Sequence, residues 1–125
     1  MAATRTEQQV VREWREIRAT HARTVCELDR ELQTFGLGAS DFEVLDLLAA
    51  EEKLRMQDLA CQVHLSQSAL SRLVARLEKS GLVERGMCPL DRRGVSVCLT
   101  DEGRGLHARA LPVQRAVLER AFGSS

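Results

Sequence analysis

The 125-residue sequence predicts a mainly α-helical chain carrying one small β-hairpin. Three observations lead there. Apolar residues recur at steps of three and four over several stretches, helix-capping residues punctuate those stretches, and only two short neighbouring segments alternate or are β-branched. The length suits one compact domain and excludes a large multidomain enzyme. A hydrophobic content of 44% is that of a folding protein, while one Trp, three Phe and no Tyr leave few rings on which single-stranded nucleic acid would stack.

Residues 7 to about 35 place Val10, Trp14, Ile17, His21, Val25, Leu28 and Leu32 on one stripe of a helix. Such a helix is roughly 40 Å long at 1.5 Å per residue. A rod of that length with a one-sided stripe calls for a partner helix, from the same chain or from a second copy. Gly36-Leu37-Gly38 ends it. Ser40-Asp41-Phe42-Glu43 then has the S-x-x-E spacing of a helix start, with Ser40 as the cap and Glu43 reaching back, and a short helix follows to about Ala50 with Phe42, Leu45 and Leu48 on one side.

Glu51-Glu52-Lys53 is an acidic break. A third helix spans about 56–63, burying Leu59 and Ala60, with Asp58 near its positive N-terminal end. His64-Leu65 leaves room only for a tight corner. Ser66 caps a fourth helix over 67–79, which turns Ala69, Leu70, Leu73, Val74 and Leu77 inward and Gln67, Ser68, Ser71, Arg72, Ala75 and Arg76 outward. Gly81 ends it. Residues 82–85 and 94–99 form the hairpin strands, and the Gly, Pro and charged residues between them form its tip. Thr100 caps a last helix with Asp101 and Glu102 in its first turn; it is expected to run to about Ala121, bending at Pro112, and to fray at Phe122.

The 18 basic and 18 acidic side chains cancel, but their distribution does not. Residues 35–54 carry one basic and five acidic groups, whereas residues 55–93 carry seven and four. The second stretch therefore offers an anionic partner a cationic face on a neutral molecule. No apolar run approaches the roughly 20 residues of a membrane span and the start lacks a secretory core, so a cytoplasmic protein without a membrane partner is expected. Cys26, Cys61, Cys88 and Cys98 lie far apart with no C-x-x-C, which indicates neither a disulfide framework nor a zinc ribbon.

A short helix, a tight turn, a second helix with a polar outer stripe and a basic hairpin form the layout of a winged helix-turn-helix. The second helix fits a major groove about 12 Å wide, with its N-terminal half at the base edges. That half supplies Gln67, Ser68, Ser71 and Arg72: Gln pairs with adenine, Arg with guanine, and Ser with bases or phosphates. Arg76, a turn further on, suits a phosphate. At the hairpin tip Arg93 is assigned to a narrow, A·T-rich minor groove, Arg92 to the phosphate wall, and Asp91 to orienting a neighbouring guanidinium. Most arginines are simply solvated; what favours a role here is their clustering on one face with few opposing acids.

These residues resemble the MarR-type winged helix-turn-helix transcriptional regulators. The resemblance lies in residues 54–103: Leu59-Ala60, Leu65-Ser66, Leu77-Glu78-Lys79-Ser80-Gly81-Leu82-Val83-Glu84-Arg85, Asp91-Arg92-Arg93-Gly94 and Leu99-Thr100-Asp101-Glu102-Gly103. That order is far more specific than a generic helix-turn-helix, and the flanking helices fit it. It implies a homodimer held by its N- and C-terminal helices, reading an inverted-repeat operator on double-stranded DNA, as a repressor released by a small-molecule effector or by thiol oxidation. The family's wing residues fall on Asp91 and Arg93, and its recognition-helix contacts on Gln67, Ser68, Ser71, Arg72 and Arg76. The resulting organisation is residues 1–35 as an N-terminal dimerisation helix, 36–99 as the DNA-binding lobe and 100–125 as a C-terminal dimerisation helix. Family members ordinarily continue into a further C-terminal helix that completes the dimer, whereas this sequence stops at Ser125. Either the dimer relies on the first and last helices or a segment of a longer protein is absent.

Among the thiols, Cys88 beside Arg85 and Arg92 is the first redox candidate and Cys26 the second, while Cys61 and Cys98 read as small buried hydrophobes. Trp14, His21 and Phe42 are candidates to line an effector pocket. The spacing of His21, His64 and His107 gives no metal chelate, no cofactor is indicated, and the absence of a phosphate loop, G-x-S-x-G or H-E-x-x-H argues against an enzyme. The competing class is a protein-interaction scaffold, or a heterodimerising helix-turn-helix module that does not read DNA itself.

Overall fold

The computed structural model describes residues 5–87 and 95–123. Its elements run α1 (Glu7–Leu32), a 3-10 turn (Gln33–Phe35), α2 (Ala39–Ala50), β1 (Leu54–Arg55), α3 (Met56–Val63), α4 (Gln67–Lys79), β2 (Val83–Met87), β3 (Val95–Leu99) and α5 (Asp101–Phe122). The mainly α architecture with a small antiparallel sheet is as the sequence predicts.

Thr6 starts α1: its hydroxyl accepts from the Gln9 N–H at 3.1 Å, and the Gln9 side chain accepts from the Thr6 N–H at 2.8 Å. Only the C-terminal half of the expected stripe is covered by this chain. Leu28 and Leu32 are buried and Val25 is half-buried, but Val10, Trp14 and Ile17 are 52%, 58% and 59% exposed, and His21 is exposed too.

The start of α2 differs from the sequence reading. Ser40 is exposed and lies inside the helix; the cap position is Gly38, whose N–H donates to Asp41 Oδ2 at 2.8 Å. Asp29 of α1 takes the next amide, accepting from the Ala39 N–H at 2.7 Å. Two carboxylates thus satisfy the first free amides of α2 and stabilise its positive end. Phe42, Leu45 and Leu48 are fully buried, together with Leu59 of α3, Leu70 and Val74 of α4, Val97 of β3 and Val117 of α5.

β1 went unrecognised in sequence, because two residues carry no detectable period. Leu54 pairs with Val97 and Arg55 with Ser96, giving a sheet of order β1-β3-β2. β2 and β3 run antiparallel from Val83 opposite Leu99 to Met87 opposite Val95. Cys61, expected to be buried, is exposed on α3, and Cys98 is only half-buried. Neither position sits among the apolar residues that α3 and β3 turn inward, Leu59, Ala60, Val97 and Leu99.

Thr100 caps α5 as expected, its hydroxyl accepting from the Gly103 N–H at 3.0 Å, and the helix continues through Pro112. α5 is pinned to the rest of the chain at both ends. Near its start, the Thr100 hydroxyl donates to the Gly81 carbonyl at 2.6 Å and the Thr100 N–H to the Leu82 carbonyl at 3.1 Å. Here Gly103 is obligatory, since a Cβ would stand 2.1 Å from the Leu82 carbonyl oxygen. Near its end, Arg120 donates to Glu27 of α1 at 2.6 and 3.1 Å, and its pKa is raised chiefly by that hydrogen bond.

Candidate nucleic-acid interface

The α3–α4 pair is built by local chemistry. His64 ends α3 in the left-handed conformation (φ 59°), which turns the chain within two residues. Ser66 then caps α4, its hydroxyl accepting from the Ala69 N–H at 3.1 Å. α4 buries Leu70, Leu73, Val74 and Leu77 and exposes Gln67, Ser68, Ser71, Arg72, Ala75 and Arg76, the division the periodicity predicts. A 13-residue helix is about 20 Å long, and a helix about 10–12 Å across matches the width of a major groove, about 12 Å.

The two arginines on this face differ. Arg72 has no ion-pair partner among the described residues, whereas Arg76 Nη2 donates to Asp41 Oδ1 on α2. Asp41 is buried, yet the Arg76 side chain remains 61% exposed. Arg76 is therefore tethered at the flank of α4 rather than withdrawn from the surface.

At the far end of α4, Glu78 is engaged by Arg85 of β2, whose Nη2 and Nε lie 2.9 and 3.1 Å from Oε1. The Arg85 side-chain hydrogen bond holds the Glu78 carboxyl below its ordinary pKa. The Glu and Arg of the L-E-x-x-G-L-V-x-R segment thus fasten helix to sheet and offset an acid that would otherwise oppose a polyanion. Between them Gly81 adopts φ +79°, which lets the chain leave α4 directly into β2.

Asp91, Arg92, Arg93 and Cys88 lie outside the described residues. Cys26 is exposed on α1. The proposed lining of an effector pocket is not assembled: Trp14 and His21 are on the exposed side of α1, but Phe42 is fully buried in the core. The Phe42 ring stacks on His107 of α5, centroids 5.3 Å apart and planes 17° from parallel. The structure instead forms an open groove of about 390 Å³ along Glu13, Glu16, Ile17, Thr20, His21 and Phe122.

Sequence reasoning missed the polar contacts between helices. His107 Nε2 lies 2.7 Å from Asp46 Oδ1, and Arg115 donates to Asp46 Oδ2 at 3.2 Å, joining α2 to α5. Asp41 was also missed. The signals were absent, because each pair is distant in sequence and each acid sits on a largely apolar helix. Among the described residues no cluster of three His, Cys, Asp or Glu suits a metal ion, and no helix is long and apolar enough to cross a membrane.

The MarR family model matches residues 37–95, the span from α2 to the start of β3. The crystal structure of AbsC, a MarR family transcriptional regulator of Streptomyces coelicolor, superposes with a TM-score of 0.84 at 32% identity, over 97% of this chain and 82% of that one. A second MarR family regulator of that organism, solved in complex with DNA, gives 0.84 at 34% identity, over 98% of this chain and 78% of that one. An HTH-type transcriptional regulator of Bacillus cereus is 34% identical over 91 residues, 73% of this chain; the chain spans 60% of that relative's length.

Proposed function

The chain belongs to the MarR family of transcriptional regulators rather than to any class of enzyme, and from that premise we propose that it binds double-stranded DNA as a homodimer and represses transcription. The observation that carries this reading is the exposed face of α4, where Gln67, Ser68, Ser71, Arg72 and Arg76 lie along one side of a rigidly backed helix. The neighbouring acids Asp41 and Glu78 are each paired with an arginine. Related structures include one solved on DNA, which supports the same reading.

Dimerisation is supported by the bare apolar surface of α1, where Val10, Trp14 and Ile17 are more than half exposed, Ile17 in a groove shared with the exposed Phe122 of α5. In this organisation residues 1–35 and 100–125 join the subunits and residues 36–99 read DNA, each copy taking one half of an inverted repeat. Arg92 and Arg93 supply the wing contacts assigned from sequence. The protein works in the cytoplasm, and binding of a small ligand or oxidation of Cys88 or Cys26 releases it from the operator.

The test is a binding titration with the duplex upstream of its own coding region, at several salt concentrations, alongside a solution mass. Phosphate neutralisation predicts an affinity that falls steeply with salt. Arg72→Ala is expected to cost about 1–3 kcal/mol on that duplex. Salt-independent binding, or a monomeric mass at the concentrations where DNA is bound, overturns the proposal. Peroxide treatment that leaves binding unchanged removes the thiol mechanism alone.

A further inference from the structure

We propose that Asp41 is a positioning residue for DNA binding: it holds Arg76 at the edge of α4 as a preset contact for the phosphate backbone. This rests on α4 being the groove helix.

The two oxygens of Asp41 have different tasks. Oδ2 accepts from the Gly38 N–H at 2.8 Å and Oδ1 accepts from Arg76 Nη2. The carboxylate is fixed by the backbone of the α1–α2 turn before it meets the guanidinium. That turn is itself anchored, since Asp29 of α1 accepts from the Ala39 N–H at 2.7 Å. Asp41 is 7% exposed and its charge is compensated by Arg76, so it presents no bare carboxylate to an approaching polyanion, whereas the Arg76 side chain is 61% exposed. A guanidinium has five N–H donors in a rigid fork, and engaging one of them still leaves donors for a phosphate. Holding that side chain in advance removes part of the rotamer entropy otherwise lost on binding. Arg72, one turn earlier on the same face, has no such tether among the described residues, so on this face Arg76 is the arginine held by a buried carboxylate.

The experiment compares wild type, Asp41→Asn, Arg76→Ala and the double variant by DNA titration against salt, on the upstream duplex and on a scrambled duplex of equal length. Asparagine keeps an oxygen for the Gly38 amide while losing the charge that grips Arg76. A phosphate contact predicts that Arg76→Ala weakens both duplexes equally and lowers the salt slope by about 0.9. Asp41→Asn is expected to weaken binding about three- to tenfold, in the range of one ordinary hydrogen bond, because the contact is lost from the positioning of Arg76 and not from the phosphate itself. The double variant should be no weaker than Arg76→Ala. Arg76→Lys leaves Asp41 untouched and keeps the charge but lacks the fork, and it should also bind more weakly than wild type; this covers the case in which Asp41→Asn does not fold. Tighter binding by Asp41→Asn, additive losses in the double variant, or wild-type affinity in Arg76→Lys each overturn the proposal. If wild type shows no salt-dependent binding, the DNA-binding reading itself fails; if it does and only the Asp41 results deviate, this inference alone is lost.

Discussion

The two halves of α1 share one apolar period and meet opposite fates. Leu28 and Leu32 disappear beneath the rest of the chain, while Val10, Trp14 and Ile17 stand in solvent. A stripe at steps of three and four shows that a helix has a face to cover, not what covers it. The C-terminal half is covered because α5 returns antiparallel to it, tied by Arg120 to Glu27. The N-terminal half extends past the end of α5, where Phe122 is 64% exposed, and there the apolar surface awaits the second subunit proposed above.

Truncation at the two ends of the stripe separates these roles. Leu32→Ala removes a fully buried side chain and is expected to cost about 2–5 kcal/mol of folding stability, read by denaturant unfolding, at any protein concentration. Gly103→Ala adds a single carbon where the Leu82 carbonyl lies 2.1 Å from the new Cβ, so the α5 start must move off the sheet. A loss of about 1–3 kcal/mol is expected, again independent of concentration. An unchanged melting temperature would show that the α5 junction yields more easily than its packing suggests.

Ile17→Ala belongs to the other half. At 59% exposure it should change the isolated subunit by within about 0.5 kcal/mol. Its effect should appear in the dimer dissociation constant and in a melting temperature that depends on concentration. If Ile17→Ala behaves like Leu32→Ala in dilute protein, the contrast between the halves is wrong.

The same distinction explains what was legible in sequence. The bounds of α3 and α4 were legible because the Ser66 hydroxyl, the His64 corner and the Leu70, Leu73, Val74, Leu77 period are all local signals. The polar face of α4 followed from that period. The start of α2 was misplaced because Ser40 and Asp41 both offer cap chemistry, and only the fold decides which oxygen faces the free amide. Phe42 was assigned to a pocket although its spacing from Leu45 and Leu48 already put it in the core. The pairs Asp41–Arg76 and Asp46–His107, 35 and 61 positions apart, had no local trace at all.

Charge repeats the contrast between covered and open in a milder form. The Glu78–Arg85 bridge is open to water, so its contribution is the smallest considered and shows itself best as a pH effect. The Arg85 hydrogen bond depresses the Glu78 pKa in the folded chain, so the unfolded chain binds this proton more readily. The bridge therefore stabilises the fold above a pH of about 4.5 and loses that effect as pH falls through the lower folded value. Glu78→Gln should destabilise the protein slightly at neutral pH and flatten the acid limb of its stability curve. The two proteins should converge at the acid end, because protonation there does to wild type what the substitution does everywhere. A gap that persists undiminished at low pH would mean that the side chain acts through packing between α4 and β2 rather than through its charge.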